Sequence, residues 1–220
     1  MGARSVAGVV FDMDGTLVDS LDIVVEGYRR VVREFDGPDH TPNEILASFS
    51  IGPARSMLAH LIGRPLGDAA VARYESLLAE RASEIRPFPG IEDAVARLAG
   101  SLPLAVFTAA NTRSATIILE ATGLSSSFAA VVGADLVGHT KPAPDGLIEA
   151  ARRLGLDPAQ VVYVGDGPSD VATTRACGAL AVVARWGHEH DPALDADLTV
   201  ESPSDLVTVL LPSAAAPAAP

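Results

Sequence analysis

Short apolar runs alternate with stretches of three- and four-residue periodicity along most of this chain. Residues 6–11 are a run of β-formers in which Val9, Val10 and Phe11 are contiguous, the pattern of a strand buried on both faces of a parallel sheet. Similar runs over 104–107, 130–132, 161–164 and 180–183 predict further strands, with helices over 91–100, 112–122, 144–154 and 168–177 between them. Strand–helix alternation is the mark of a doubly wound α/β sheet. The interruption falls at 19–86. There Leu21, Val24, Val25, Tyr28, Val31, Val32 and Phe35 trace one helical face, and 44–47, 53–62 and 68–85 read as further helices between Pro- and Gly-containing turns. No strand pattern appears in these 68 residues.

Polar residues follow three of the strands. Phe11 leads into Asp12-Met13-Asp14-Gly15-Thr16. Two carboxylates two positions apart leave a strand end on the same side, and Gly15 allows a tight turn behind them. That arrangement suits a hard cation and attack on phosphorus; the plain alternative is an acidic turn. The strand ending at Phe107 delivers Thr108-Ala109-Ala110-Asn111, and the one ending at Val164 delivers Gly165-Asp166-Gly167-Pro168-Ser169-Asp170. Pro168 suits the first position of a helix and Asp170 its first turn. The C-terminal ends of strands are where open α/β sheets bind ligands.

Of the 16 basic residues, 15 are Arg and one, Lys141, is Lys. It lies in His139-Thr140-Lys141-Pro142-Ala143-Pro144, a turn that opens a helix. A compact ammonium reaches a small anionic site that a planar guanidinium does not.

In this order, Asp12-x-Asp14-Gly-Thr, Thr108, Lys141 and Gly-Asp166-x-x-x-Asp170 resemble the four motifs of the haloacid dehalogenase superfamily of phosphohydrolases. The resemblance runs over nearly the whole chain, from Val6 to Leu211. It implies a Rossmann-like core over 1–18 and 87–212, an inserted all-helical cap of the C1 type over 19–86, and a disordered tail over 213–220. It also implies Asp12 as nucleophile, forming an aspartyl-phosphate, and Asp14 as acid and then base. Mg²⁺ would be shared by Asp12, the Asp14 carbonyl and Asp166, while Thr108, Ala109 and Lys141 hold the phosphoryl oxygens. Asp170 would either bind a metal-bound water or orient Lys141. The founding dehalogenases lack a second Asp at the position of Asp14, which sets them aside.

Gly52-x-x-Arg55 resembles the cap motif of β-phosphoglucomutases and related sugar-phosphate phosphatases, whose Arg holds the distal anionic group of the substrate; a solvent-facing Arg at a helix start is the alternative. The resemblance is strongest to the phosphoglycolate phosphatase and pyrophosphatase group. Mutases of this type carry a His twelve residues after the nucleophile, where this chain has Val24. A phosphonoacetaldehyde hydrolase needs a cap lysine, and this cap has none. A binding protein on an inactive hydrolase fold would be expected to have lost Asp12, Asp14 or Lys141.

Composition narrows the partners. A net charge of −12 disfavours nucleic acid as a partner, while the family resemblance implies a small phosphorylated metabolite. The single Cys177 excludes an intrachain disulfide and fits a cytoplasmic setting. Neither a membrane-spanning apolar stretch nor a signal peptide is expected, and monomer and homodimer stay open. Met1-Gly2 resembles a myristoylation start, but Val6 stands where Ser or Thr is needed. His188-Glu189-His190-Asp191 reads as a solvated loop rather than a metal site, and His40 and His60 as surface or packing residues.

Overall fold

A computed structural model describes residues 6–189 and 191–211. The expected tail over 213–220, His190 and the Met1-Gly2 start lie outside these residues. The chain runs β1 (Gly8–Phe11), β2 (Val18–Asp19), α1 (Leu21–Glu34), α2 (Pro42–Ala47), α3 (Ala54–Ile62), α4 (Asp68–Arg81) and β3 (Arg86–Pro87). There follow α5 (Ile91–Ala99), β4 (Leu104–Phe107), α6 (Thr112–Ala121), β5 (Ala130–Val132) and α7 (Asp145–Arg153). The last elements are β6 (Val161–Gly165), α8 (Pro168–Cys177), β7 (Leu180–Ala184), β8 (Leu198–Val200) and α9 (Pro203–Leu210).

Six strands form one parallel sheet in the order β5-β4-β1-β6-β7-β8. β1 is central, with Phe11 opposite Val106 of β4 and Val164 of β6. Side-chain alternation sends Val9 and Phe11 into one core and Val10 into another. On the first face Ile91 and Leu98 of α5 and Leu206 of α9 join Val9 and Phe11. On the second, Leu147, Ala150 and Ala151 of α7 join Val10, Phe107 and Tyr163. Burial on both faces explains why these strands are apolar without alternation.

Helices α1–α4 pack on one another. The buried face of α1 is Val24, Val25, Tyr28, Val31 and Val32, and α4 meets it with Tyr74, Leu77 and Leu78. The Tyr28 and Tyr74 rings stack with centroids 4.3 Å apart. α2 starts at a reciprocal cap between Thr41 and Glu44. The Arg73–Glu34 pair, 2.6 Å, also links α4 to α1, but a half-exposed ion pair contributes at most about 1 kcal/mol. The apolar seam therefore holds this bundle.

Three features differ from the sequence pattern. The expected helix over 68–85 stops at Arg81, and a 3₁₀ turn over Ala82–Glu84 leads to extended Ile85. The segments that enter and leave the helical bundle pair as antiparallel β2 and β3, Val18 with Pro87 and Asp19 with Arg86. Two-residue strands whose partner is so distant leave no local periodicity. β8 and α9 were not anticipated, since Leu198 and Thr199 are exposed and only Val200 is buried, too little for a strand pattern.

Gly146 gives a test of the packing. Alanine is favoured over glycine inside a helix by about 1 kcal/mol. A Cβ at this position of α7, however, would lie 2.0 Å from the Phe107 ring. The clash should dominate. Gly146→Ala is expected to destabilise the fold by about 1–3 kcal/mol in urea unfolding, with Phe107→Leu recovering part of the loss; a stabilised alanine variant would contradict the close approach.

Candidate active site

The ends of β1, β4 and β6 lie side by side because these strands are sheet neighbours. Asp12 is anchored as its backbone N–H donates to the Val164 carbonyl, 2.8 Å. The chain then turns, with Gly15 N–H donating to Val18 O at 3.0 Å. Gly15 has φ +83°, and a Cβ there would come within 2.5 Å of Asp166 Oδ2, so both conformation and space require glycine. Thr108 follows β4, buried, its hydroxyl oxygen accepting from the Ala110 N–H at 3.1 Å.

Asp166 follows β6, and Asp170 sits in the first turn of α8. Asp170 Oδ2 accepts from the backbone N–H groups of Asp166 and Gly167, 3.1 and 3.0 Å. Its other oxygen accepts from Lys141 Nζ at 2.7 Å, and Lys141 also donates to Asp12 Oδ1 at 2.6 Å. The ammonium lies 5.3 Å from the ring centroids of both Phe107 and Tyr163. It is thus enclosed by two carboxylates and two aromatic rings, and the side chain is only 6% exposed. A guanidinium is wider than this space, which explains a lysine among arginines.

Carboxylate oxygens of Asp12, Asp166 and Asp170 all lie within 4.8 Å of one another, and all three residues are buried. An all-oxygen set of this kind fits a hard divalent cation such as Mg²⁺ rather than zinc. Asp14 does not join the cluster with its side chain; its carboxylate accepts from the Ser20 hydroxyl. Burial pushes the Asp14 carboxyl above its usual range, partly offset by that hydroxyl and by Lys141. Burial likewise raises Asp12, with Lys141 opposing and Asp170 and Asp166 adding to the rise. Asp166 is raised by burial, against the Glu189 N–H that donates to it. For Lys141 burial favours the neutral amine, but Asp12 and Asp170 together outweigh it and hold the ammonium.

These groups open into a cavity of about 400 Å³. Asp12, Asp14, Thr108, Ala109, Lys141, Asp166 and Asp170 all line it, and Gly52 does so from the helical side, facing Thr140. Arg55 is not brought there. Its guanidinium pairs with Asp68 and donates to the Leu66 carbonyl at 3.4 Å, both on the exposed surface, which is the arrangement of the solvent-facing alternative. Gly52 has φ +122° and ends a 3₁₀ turn over Phe49–Ile51, ahead of α3.

The loop at 188–189 is exposed, as expected, and it also borders the site. His188 and Glu189 line the cavity; the Glu189 N–H donates to Asp166 Oδ2 at 3.0 Å and His188 Nε2 meets Asp19 Oδ1 at 3.1 Å. Sequence reasoning also missed Ser20 and Trp186, whose Nε1 donates to the Thr16 carbonyl at 2.9 Å. Trp186 is the only tryptophan in the chain, which was the one available signal.

Residues 9–184 match the family described as haloacid dehalogenase-like hydrolase. The "Probable phosphatase IndB" of Dickeya dadantii (strain 3937) is 34% identical over 210 residues, covering 90% of this chain and 91% of that protein. A phosphoglycolate phosphatase of Chromobacterium violaceum is 30% identical over 224 residues, covering 96% and 99%. The crystal structure of CbbY from Rhodobacter sphaeroides in complex with phosphate superposes with a TM-score of 0.79 at 19% identity, over 91% of this chain and 96% of that one. That last likeness is of fold. With the family match spanning most of the chain and relatives aligned over nearly their full length, this chain belongs to the haloacid dehalogenase-like hydrolases, as a phosphatase enzyme.

Proposed function

We propose that this enzyme hydrolyses the phosphate monoester of a small metabolite through an aspartyl-phosphate on Asp12. The observation that carries the reading is the buried contact of Lys141 Nζ with both Asp12 and Asp170 beside the Asp166 carboxylate. It brings a nucleophile, a phosphoryl-binding cation and a metal-binding carboxylate into one cavity. The phosphoglycolate phosphatase relatives support the same reaction class. In this reading 1–18 and 87–212 form the catalytic core and 19–86 the cap, in a cytoplasmic protein.

Asp12 attacks phosphorus, and the alcohol leaves with the proton of Asp14. Burial keeps that proton on Asp14 to higher pH than usual. Asp14, now ionised, takes a proton from water as the water attacks the aspartyl-phosphate, releasing phosphate and Asp12. Lys141 and Thr108 hold phosphoryl oxygens through both steps. Asp12, the Asp14 carbonyl and Asp166 would hold Mg²⁺, and Asp170 fixes Lys141. Bound Mg²⁺ offsets the negative charge on the phosphate and the cluster. Val24 occupies the position of the mutase histidine, so no group there would serve a second phosphoryl transfer.

Activity on phosphate esters is expected to vanish after exhaustive chelation and return with Mg²⁺; full activity without a divalent ion would overturn the metal assignment. Asp12→Asn should abolish turnover while melting like the wild type, and a phosphoenzyme still trapped in that variant would remove Asp12 as nucleophile. Lys141→Arg should lose activity almost as far as Lys141→Met, on the order of a hundredfold, because a displaced phosphoryl group is out of line. An arginine variant within a few-fold of wild type in kcat/KM would contradict the steric argument.

The raised carboxyl groups also fix a pH trend. For Asp12, Asp14 and Asp166 the native state holds protons that the unfolded chain has already lost above about pH 4. Stability of the metal-free protein should therefore fall as pH rises above the ordinary aspartate range near about 4. Surface carboxyls such as Glu34 and Glu149, each held at about 2, act in the opposite direction but below that window. Thermal melts in chelator are expected to show this slope, and Asp166→Asn to flatten it; stability rising with pH in chelator would refute it.

A further inference from the structure

Within the phosphatase reading, the cavity also constrains the group that is released. Among the described residues, Lys141 is the only lysine or arginine that lines it. Both carboxylates in contact with that ammonium belong to the cluster itself. The remaining charged neighbours are Asp12, Asp14, Asp166, Asp170 and Glu189, with His188 turned onto Asp19. A second carboxylate or phosphate on the substrate would find no cation beyond those that serve the transferred phosphoryl group. Away from the cluster it would meet neutral hydroxyls such as Ser50 and Thr140, the Glu189 carboxylate or an apolar wall, none of which supplies a positive charge, and an unpaired charge out of water is strongly disfavoured.

The wall facing the carboxylate cluster is aromatic and aliphatic. Tyr74, Tyr28 and Phe49 form a continuous series, with ring centroids 4.3 Å apart for the tyrosines and 6.4 Å apart for Tyr28 and Phe49. Leu21, Val24 and Met57 extend the surface, and Leu46, 36% exposed, continues it to the solvent side. Arg55, the residue that could have answered a distal anion, is not among the lining residues and pairs at the exposed surface with Asp68. We propose that the substrate is the monophosphate of an uncharged, largely apolar alcohol with a flat portion that lies against Tyr28 and Phe49, and that esters bearing a second anionic group are poor substrates. The relatives named for phosphoglycolate would differ from this enzyme in that respect.

A matched pair of esters tests this. Benzyl phosphate and 4-carboxybenzyl phosphate release alcohols of similar leaving ability and differ by one carboxylate on the ring. Wild-type enzyme with Mg²⁺ is expected to favour benzyl phosphate in kcat/KM by about tenfold or more, and to favour it over phosphoglycolate. Leu46→Arg, which adds a cation at an exposed lining position, should narrow the ratio several-fold; circular dichroism melts establish that it folds. Equal or reversed preference in the wild type, or a ratio that Leu46→Arg leaves unchanged, would overturn the assignment. Hydrolysis of phosphoglycolate or β-glucose 1-phosphate in preference to both benzyl esters would overturn it while leaving the phosphatase reading intact. Failure to hydrolyse any phosphate ester would instead remove the phosphatase reading, and this inference with it.

Discussion

One ammonium set among four carboxylates governs this structure. Asp12, Asp14, Asp166 and Asp170 converge at the ends of two neighbouring strands, and Lys141 is the cation that answers them. At the separations seen here a like-charge pair near a protein surface interacts by roughly 4 kcal/mol, so a single ammonium leaves the group underpaid in positive charge. Burial, with the like charges of the neighbouring carboxylates added, makes Asp12, Asp14 and Asp166 hold protons more tightly than usual. A divalent cation relieves the imbalance without protons and leaves Asp12 ionised. The same imbalance that destabilises the metal-free fold is what makes the site attract a cation and, with it, a phosphate.

Keeping such a group together requires that its supports be rigid. Strand register places Asp12 next to the end of β6, and Asp170, in the first turn of α8, accepts from the backbone N–H groups of Asp166 and Gly167 just before that helix. The loop after β7 reaches back to the other side: Trp186 binds the Thr16 carbonyl, His188 meets Asp19, and the His188 ring lies 5.6 Å from Phe88. Both segments that join the helical bundle to the sheet are thereby touched by one loop. The position of the bundle over the cluster depends on that loop as much as on the β2–β3 pairing.

The sheet and its helices were legible because burial on two faces writes itself as contiguous valine, leucine and phenylalanine, and because each helix carries one apolar stripe. The cluster was legible because Asp12, Asp14, Thr108 and Asp166 follow strands directly and Asp170 and the lone lysine mark helix starts beside them. What escaped was everything that depends on a distant partner. β2 and β3 are two residues each and are paired across the whole helical bundle. β8 has a single buried side chain. Arg55 has a sequence neighbourhood suited to anion binding, yet it pairs with Asp68, thirteen residues on. His188 and Glu189 are exposed loop residues, and nothing local signals that their loop folds back onto Asp166.

The division of labour between the two parts of the molecule follows from where each kind of residue originates. The carboxylates, Thr108 and Lys141 come from strand ends and the turns and helix starts beside them, and each is held by backbone or by another member of the cluster. The apolar cavity wall comes mainly from α1, α2, α4 and the turn at Phe49, whose packing rests on an apolar seam with no contact to Lys141. Changing Phe49 or Leu46 alters what lies next to the leaving group without altering the charge balance around Asp12. Changing Lys141 or Asp170 alters the charge balance and leaves the wall as it was. In the proposed reading, substrate choice and phosphoryl chemistry would rest on different sets of residues.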